Sequence, residues 1–299
     1  MRRVKTCLVL ATLAANSCGC GSRNGVKGHT ELTQSQRSVA KDATREELFE
    51  AYNLIARSTR TLDATVELKP TAGSKYSGVI DEYHEVKAFI LALRPAEIRV
   101  IGQAPVIGTT VFDMASDGET FRVSIPPKKK FLVGPVAVER SSSKPIENLR
   151  PQHLLDALLW PEIRKEESVT LREYNEENAR YYILTVLRGG YQVEVLREIW
   201  FDRSELQVSR MLTFGPKGVL LSDVRLGDWQ PSDAATSSTA AAWFPRAIRI
   251  ERPHDDYKLD LRVTKVIMNE EIPAERFKLE QPAGAELVPV GKAPESKQP

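Results

Sequence analysis

"LDATVELK" occupies residues 62–69, and its apolar residues fall on every second position. Leu62, Ala64, Val66 and Leu68 alternate with Asp63, Thr65, Glu67 and Lys69. Successive side chains of a strand point to opposite faces, so this period predicts a strand with one face on a core and the other in water. The residues just before it keep a different period. Thr44 and Glu47 have the spacing of a capping box, and Leu48, Ala51, Tyr52 and Ile55 recur three and four residues apart. That pattern predicts an amphipathic helix over residues 44–60.

Outward from this point the period of two repeats. Strand-like stretches follow at 76–83, 85–93, 97–102, 108–115 and 120–125. "NLRPQHLLDALLW" (148–160) interrupts them with a second short helix, its proline suited to a first turn. Strands resume at 168–173, 180–187, 191–201, 205–214, 219–227, 246–252 and 257–267, with "GPKG" (215–218) as a turn. The expected fold class is mainly β with α. About ten consecutive antiparallel strands cannot lie flat as one open sheet, so a strongly curved sheet or incomplete β-barrel is expected. The N-terminal helix and the short mid-chain helix should lid its open side, with Leu48, Tyr52 and Ile55 facing inward. "YYILTVL" (181–187) is apolar on both faces, which fits either a doubly packed strand or one that lines a cavity.

Composition narrows the function. The 299 residues carry 42 basic and 40 acidic side chains, a balance that offers no basic field for nucleic acid. Hydrophobic content of 41% is enough for a sizeable core, and no long apolar run beyond the N-terminus offers a membrane span. Arg2, Arg3 and Lys5 precede the apolar stretch Leu8–Ala15, which is too short to cross a bilayer. A basic start, a short apolar core and small residues after it mark a secretory signal. Ala15-Asn16-Ser17-Cys18 and Ser17-Cys18-Gly19-Cys20 both resemble lipoboxes, where bacterial lipoproteins are cut and acylated on cysteine. Cys18, nearer the apolar core, is the expected lipidation site and Cys20 the alternative; ordinary cleavage, for which Ala15 and Ser17 satisfy the small-x-small rule, is a third reading. Gly19 or Gly21, not Asp, follows the cysteine, so the resemblance implies a lipid-anchored protein of the outer membrane facing the periplasm. The expected organisation is a signal at 1–17, a flexible tether at 18–42, one domain at 43–288 and a disordered tail at 289–299. "QPSDAATSSTAAAW" (230–243) is a low-complexity loop between two strands.

Signs of catalysis are missing. No cysteine follows residue 20, which excludes a disulfide, a thiol nucleophile or a thiolate metal site in the body. His29, His84, His153 and His254 stand apart, and neither a Gly-x-Ser-x-Gly elbow nor a phosphate loop occurs. No catalytic residue, metal or cofactor is therefore expected. His254-Asp255-Asp256 reads as a polar turn, "PPKKK" (126–130) as a solvated loop, and Glu166-Glu167 as surface.

Two stretches suggest a family. "ASDGETFRVSIPPKKKFLVG" (115–134) joins an Asp-Gly hairpin to an aromatic residue, a proline pair and a basic run. After the strand "FPRAIRIERP" (244–253), "YKLDLRVTKVIMNEEIPAERFKLEQPAGAELV" (257–288) ends in Ile272-Pro273, Phe277, Leu279 and Pro282-Ala283-Gly284. Over residues 44–288 the chain resembles the LolA/LolB-like superfamily of outer-membrane lipoprotein carriers and receptors. The resemblance implies an unclosed antiparallel barrel, lidded by helices, with acyl chains in an apolar cavity. It implies a membrane-anchored envelope lipoprotein that binds lipid or lipoprotein acyl chains, in lipoprotein localisation or envelope lipid handling. The alternative is a structural or sensor lipoprotein whose barrel is filled and carries no lipid cargo. The implied partners are membrane lipid, through N-terminal acylation, and acyl chains or lipoproteins as ligands. "GQAPVIGTT" (102–110) holds Val106 and Ile107 at a loop tip. Anchored receptors of the family use a protruding apolar loop between early strands, so this pair is the membrane-loop candidate; the other reading folds it back onto the barrel rim.

Overall fold

The computed structural model describes residues 39–73, 80–137, 148–190, 192–233 and 242–290. Cys18 and Cys20, with the rest of the signal-like segment, lie outside them. Helix α1 (Arg45–Ser58) starts where the capping box places it. The Thr44 hydroxyl accepts from the Glu47 amide, and the Glu47 carboxylate accepts from the Thr44 amide at 2.8 Å. Seven strands follow: β1 (Thr61–Gly73), β2 (Ile80–Glu82), β3 (Val86–Leu93), β4 (Glu97–Gln103), β5 (Thr110–Ser116), β6 (Thr120–Ile125) and β7 (Lys130–Pro135). Helix α2 (Pro151–Leu158) then intervenes, with Pro151 in its first turn. The second set is β8 (Glu167–Asn175), β9 (Arg180–Arg188), β10 (Glu194–Asp202), β11 (Gln207–Phe214), β12 (Leu220–Pro231), β13 (Trp243–Arg252) and β14 (Tyr257–Met268), and β15 (Glu286–Pro289) closes the described chain.

All of them form one curved, unclosed sheet. Its order is β15-β7-β6-β5-β4-β3-β1-β14-β13-β12-β11-β10-β9-β8, with β2 beside the far end of β1. The antiparallel pairing of β1 with β14 joins the two strand sets. Among the described residues there are 15 strands where about ten were expected; the strand periods in the sequence mark thirteen stretches, and β7 and β15 are the two beyond them. Strand β7 follows directly on a lysine run, and β15 is a four-residue piece that pairs parallel with β7, so no local period betrays either. Of the expected strand at 76–83, β2 is the described part, and 74–79 lie outside the described residues.

The alternation of "LDATVELK" now has a direction. Leu62, Ala64, Val66 and Leu68 join Ile90, Ile98, Leu184, Ile199, Ile250 and Leu261 in a single core on the concave side. The opposite positions carry cross-strand ion pairs: Arg99–Asp113 at 2.8 Å, Arg210–Asp223 at 2.6 Å and Arg249–Asp260 at 2.6 Å. The exposed Arg249–Asp260 pair contributes only about 0–1 kcal/mol, whereas Arg99–Asp113 and Arg210–Asp223 are partly buried and set attraction against lost solvation. Strand β9 is packed on both sides. Tyr182, Leu184 and Val186 face the core, while Ile183 is fully buried on the other side, opposite Trp200. The closing segment also uses the convex side, where Ile272 and Phe277 pack with Leu91 and Leu93.

The Asp-Gly hairpin between β5 and β6 depends on Gly118. Its φ is +92°, and a Cβ there would lie 2.4 Å from the Ala96 side chain. Asp117 holds the turn by accepting from the amides of Glu119 and Thr120. Gly118→Ala should cost about 1–2 kcal/mol for the left-handed backbone plus a contact penalty. Gly218, with φ +74° and nothing near its Cβ position, supplies the control. In urea unfolding, Gly118→Ala should destabilise more than Gly218→Ala; equal losses would remove the Ala96 contact from the account.

The candidate functional site is the covered concave face

Helix α1 lays Leu48, Tyr52 and Ala56 into the core, and Ile55 lies half-buried at its margin. Tyr52 is 0% exposed. Its ring stacks on Trp160 with centroids 5.7 Å apart and planes at 10°, and Trp160 meets Trp229 edge-on at 5.9 Å. Each polar tip finds a carbonyl, as buried aromatic residues with polar tips require. Tyr52 Oη donates to Pro161 at 2.8 Å, Trp160 Nε1 to Ala157 at 3.1 Å and Trp229 Nε1 to Val208 at 3.1 Å. Burial pushes the Tyr52 phenol up to about 12, against the pull of the nearby Arg197 and Arg94.

The segment after α2, residues 160–165, forms a strap beside α1. Asn53 is buried on α1 and bonds Ile163 twice, accepting from its amide at 2.9 Å and donating to its carbonyl at 3.2 Å. Arg197 reaches from β10 and donates to the carbonyls of Pro161 at 3.0 Å and Glu162 at 3.2 Å. It also pairs with Glu167 at 3.0 Å, each side chain only 11% exposed. Glu167 is thus no surface residue, contrary to its sequence reading, because Arg197 draws it inward. Arg94, just past β3, donates to the carbonyls of Thr59 at 2.8 Å and Trp160 at 2.6 Å. One guanidinium therefore ties the end of α1, the end of α2 and the sheet.

One apolar cleft lies at the margin of α1. Lined by Ile55, Leu158, Trp160, Trp229 and Met268, it holds about 10 Å³. That is roughly the volume needed to admit one water. At the far end of α1 the incoming chain is fixed: the Lys41 amide donates to the Arg203 carbonyl at 2.7 Å, and Arg203 pairs with Asp42 at 2.6 Å and Glu173 at 3.1 Å. Lys41 and Asp42, within the stretch read from sequence as tether, are therefore bound to the body. Val106 and Ile107 stand 95% and 75% exposed at the tip of the β4–β5 loop, not folded onto the rim. Strand directions put this loop at the end of the sheet where β1 finishes, opposite the β10–β11 turn that carries Arg203.

Among the described residues, no group of three or more His, Cys, Asp or Glu is placed to hold a metal ion. No described helix is long and apolar enough to cross a membrane. His153 packs against Tyr257 with its Nδ1 at the phenol oxygen. Burial, aided by Arg252 and Arg150, holds that imidazole well below its usual range. Sequence reasoning missed Asn53, Arg94, Trp160 and Arg197. Asn53 had one visible signal, a polar residue beside the apolar stripe of a helix; the arginines had none, since their partners are backbone carbonyls distant in sequence.

No family model and no curated protein matches the chain. Among solved structures it is similar to a LolA superfamily protein from Nitrosomonas europaea, at 14% identity and TM-score 0.46, over 80% of this chain and 99% of that one. It is similar to a domain named for outer membrane lipoprotein sorting from Vibrio parahaemolyticus, at 10% identity and TM-score 0.48, over 77% and 94%. A DUF1329 family protein from Desulfovibrio piger is similar at 13% identity and TM-score 0.47, over 77% and 97%. Likeness of this size carries no ligand and no residue role from those proteins to this one.

The raised Tyr52 phenol has a pH consequence. A group whose folded pKa lies above its unfolded value contributes stability below the unfolded pKa and loses it as pH rises through the folded one. The contribution of Tyr52 is thus whole below pH about 10 and falls away toward about 12. Urea unfolding at pH 8, 10 and 11.5 should show stability declining above 10. The decline should be shallower in Tyr52→Phe, which also loses about 1 kcal/mol at pH 8 with the Pro161 bond. Parallel curves for the two proteins would refute the assignment.

Proposed function

We propose that the chain is a membrane-anchored envelope lipoprotein that takes up lipid or lipoprotein acyl chains against its concave apolar face once α1 moves aside. The observation that carries this reading is the nature of the cover. One large apolar face of an unclosed sheet is sealed by helices rather than by a second sheet, and α1 adds few large side chains to the seal. Leu48, Tyr52 and Ile55 are the lid residues in this reading. Burying each contributes about 1.5–3 kcal/mol, whereas an acyl chain of roughly 15 methylenes would gain about 12 kcal/mol at some 0.8 per methylene. An incoming chain can therefore offset the displacement of α1.

Cys18 is the acylated residue in this reading, with Cys20 as alternative, and the body faces the periplasm from the outer membrane. The exposed Val106 and Ile107 touch the membrane. The 20 residues between Cys18 and Val39 span at most about 70 Å when extended, and the 13-residue β1 about 43 Å. Anchor and loop can thus reach one bilayer although they leave opposite ends of the sheet.

One observation favours a second reading, a structural or sensor lipoprotein with a filled barrel: the apolar cleft beside Ile55 and Trp160 holds only about 10 Å³. A fluorescent fatty acid separates the two. Under the lid reading, Leu48→Ala weakens the cover by about 2–4 kcal/mol, lowers the melting temperature and raises probe affinity tenfold or more. A protein that binds no probe in either form has a filled barrel.

The anchor and the loop have their own measurements. Label from a palmitate analogue should vanish in Cys18→Ser and persist in Cys20→Ser; the reverse moves the anchor, and an unlabelled wild type removes it. Replacing Val106 and Ile107 together by Ser should weaken liposome binding with the melting temperature unchanged. A large fall in melting temperature would return the pair to the core.

A further inference from the structure

A second cleft opens to solvent between α1 and the strap, about 570 Å³ in volume. Four cations and two carboxylates line it. Arg57 takes up both carboxylates, lying 3.3 Å from Glu50 and 3.7 Å from Glu162. Arg94, Arg164 and Lys165 have no ion-pair partner among the described residues. This contrasts with the convex face, where half-buried arginines such as Arg99 and Arg210 each meet an aspartate squarely. Arg94 is the informative one. A guanidinium has five N–H donors, and the Thr59 and Trp160 carbonyls engage two. Three remain on a partly buried group, held rigid by those two bonds and bordering an open cleft. Burial pulls its pKa down, and the pull of the nearby Glu162 carboxylate, which pairs with Arg57, does not make up the lost solvation.

We propose that this cleft binds a phosphate-bearing anion. Arg94 takes phosphate oxygens with its free N–H groups in the forked geometry guanidinium favours, and Arg164 and Lys165 approach from the strap. Phe49 and Ile163 give the cleft an apolar wall for the carbon side of a phosphate ester. The chemistry is shared by a phospholipid headgroup and by free phosphate. The cleft is formed with α1 in place against the strap, so its occupancy can be measured without acyl uptake.

Calorimetric titration of the full chain tests this with two soluble probes, inorganic phosphate and dihexanoyl-phosphatidylglycerol. Saturable binding is expected, at least fivefold weaker when Arg164 and Lys165 are both replaced by Ala, with the melting temperature unchanged. Those side chains are exposed and, among the described residues, without an ion-pair partner, so the variant keeps its fold. Arg94→Gln should weaken binding further, though it also loosens the strap. Tighter binding of the lipid than of phosphate identifies the headgroup as the source; equal binding identifies free phosphate. No saturable binding of either probe, or equal binding by wild type and the double variant, overturns the proposal. A fatty-acid probe that fails to bind would leave this result untouched.

Discussion

A sheet that does not close has one apolar face and no second sheet to put against it, so something else must keep water out. Here the answer converges on Trp160. Its ring lies between Tyr52 of α1 and Trp229 of β12, and its carbonyl takes the Arg94 guanidinium. Its indole N–H is held by Ala157 of α2, so one side chain touches both helices and the sheet. Protein interiors tolerate few voids, so the curvature of 15 strands and the bulk of these aromatics must match.

The polar ties around this cluster share a chemical type. Arg94 and Arg197 bind backbone carbonyls of Thr59, Trp160, Pro161 and Glu162. Convex-face arginines bind carboxylates instead. Arg197 adds one carboxylate, Glu167, and that pair is itself nearly buried.

Much of the fold was legible in sequence because its signals are local. The alternation at 62–69, the capping box at Thr44 and Glu47, and Pro151 at the start of α2 each report on a few neighbouring residues. The curl followed from strand number alone. What escaped was non-local: the parallel pairing of β15 with β7, and the burial of Glu167 by Arg197 across 30 positions. The same holds for the site. Leu48 and Tyr52 could be named from helical spacing, but Trp160 and Asn53 matter only because α2 and the strap return beneath α1. Val106 and Ile107 were visible as an apolar pair in a loop, and only the backbone shows that they stand clear of the sheet.

An unclosed sheet also leaves two edges, which are templates for adding a foreign strand. Strand β8 carries Arg172 and Glu173 within its nine residues, with Glu176 and Glu177 just beyond. Strand β15 is four residues long and ends at Pro289, which has no amide hydrogen to offer. A newcomer at one edge meets a row of charges, and at the other a ladder too short to hold it. The molecule keeps the adaptability of an open sheet while blunting the hazard of fibrous growth.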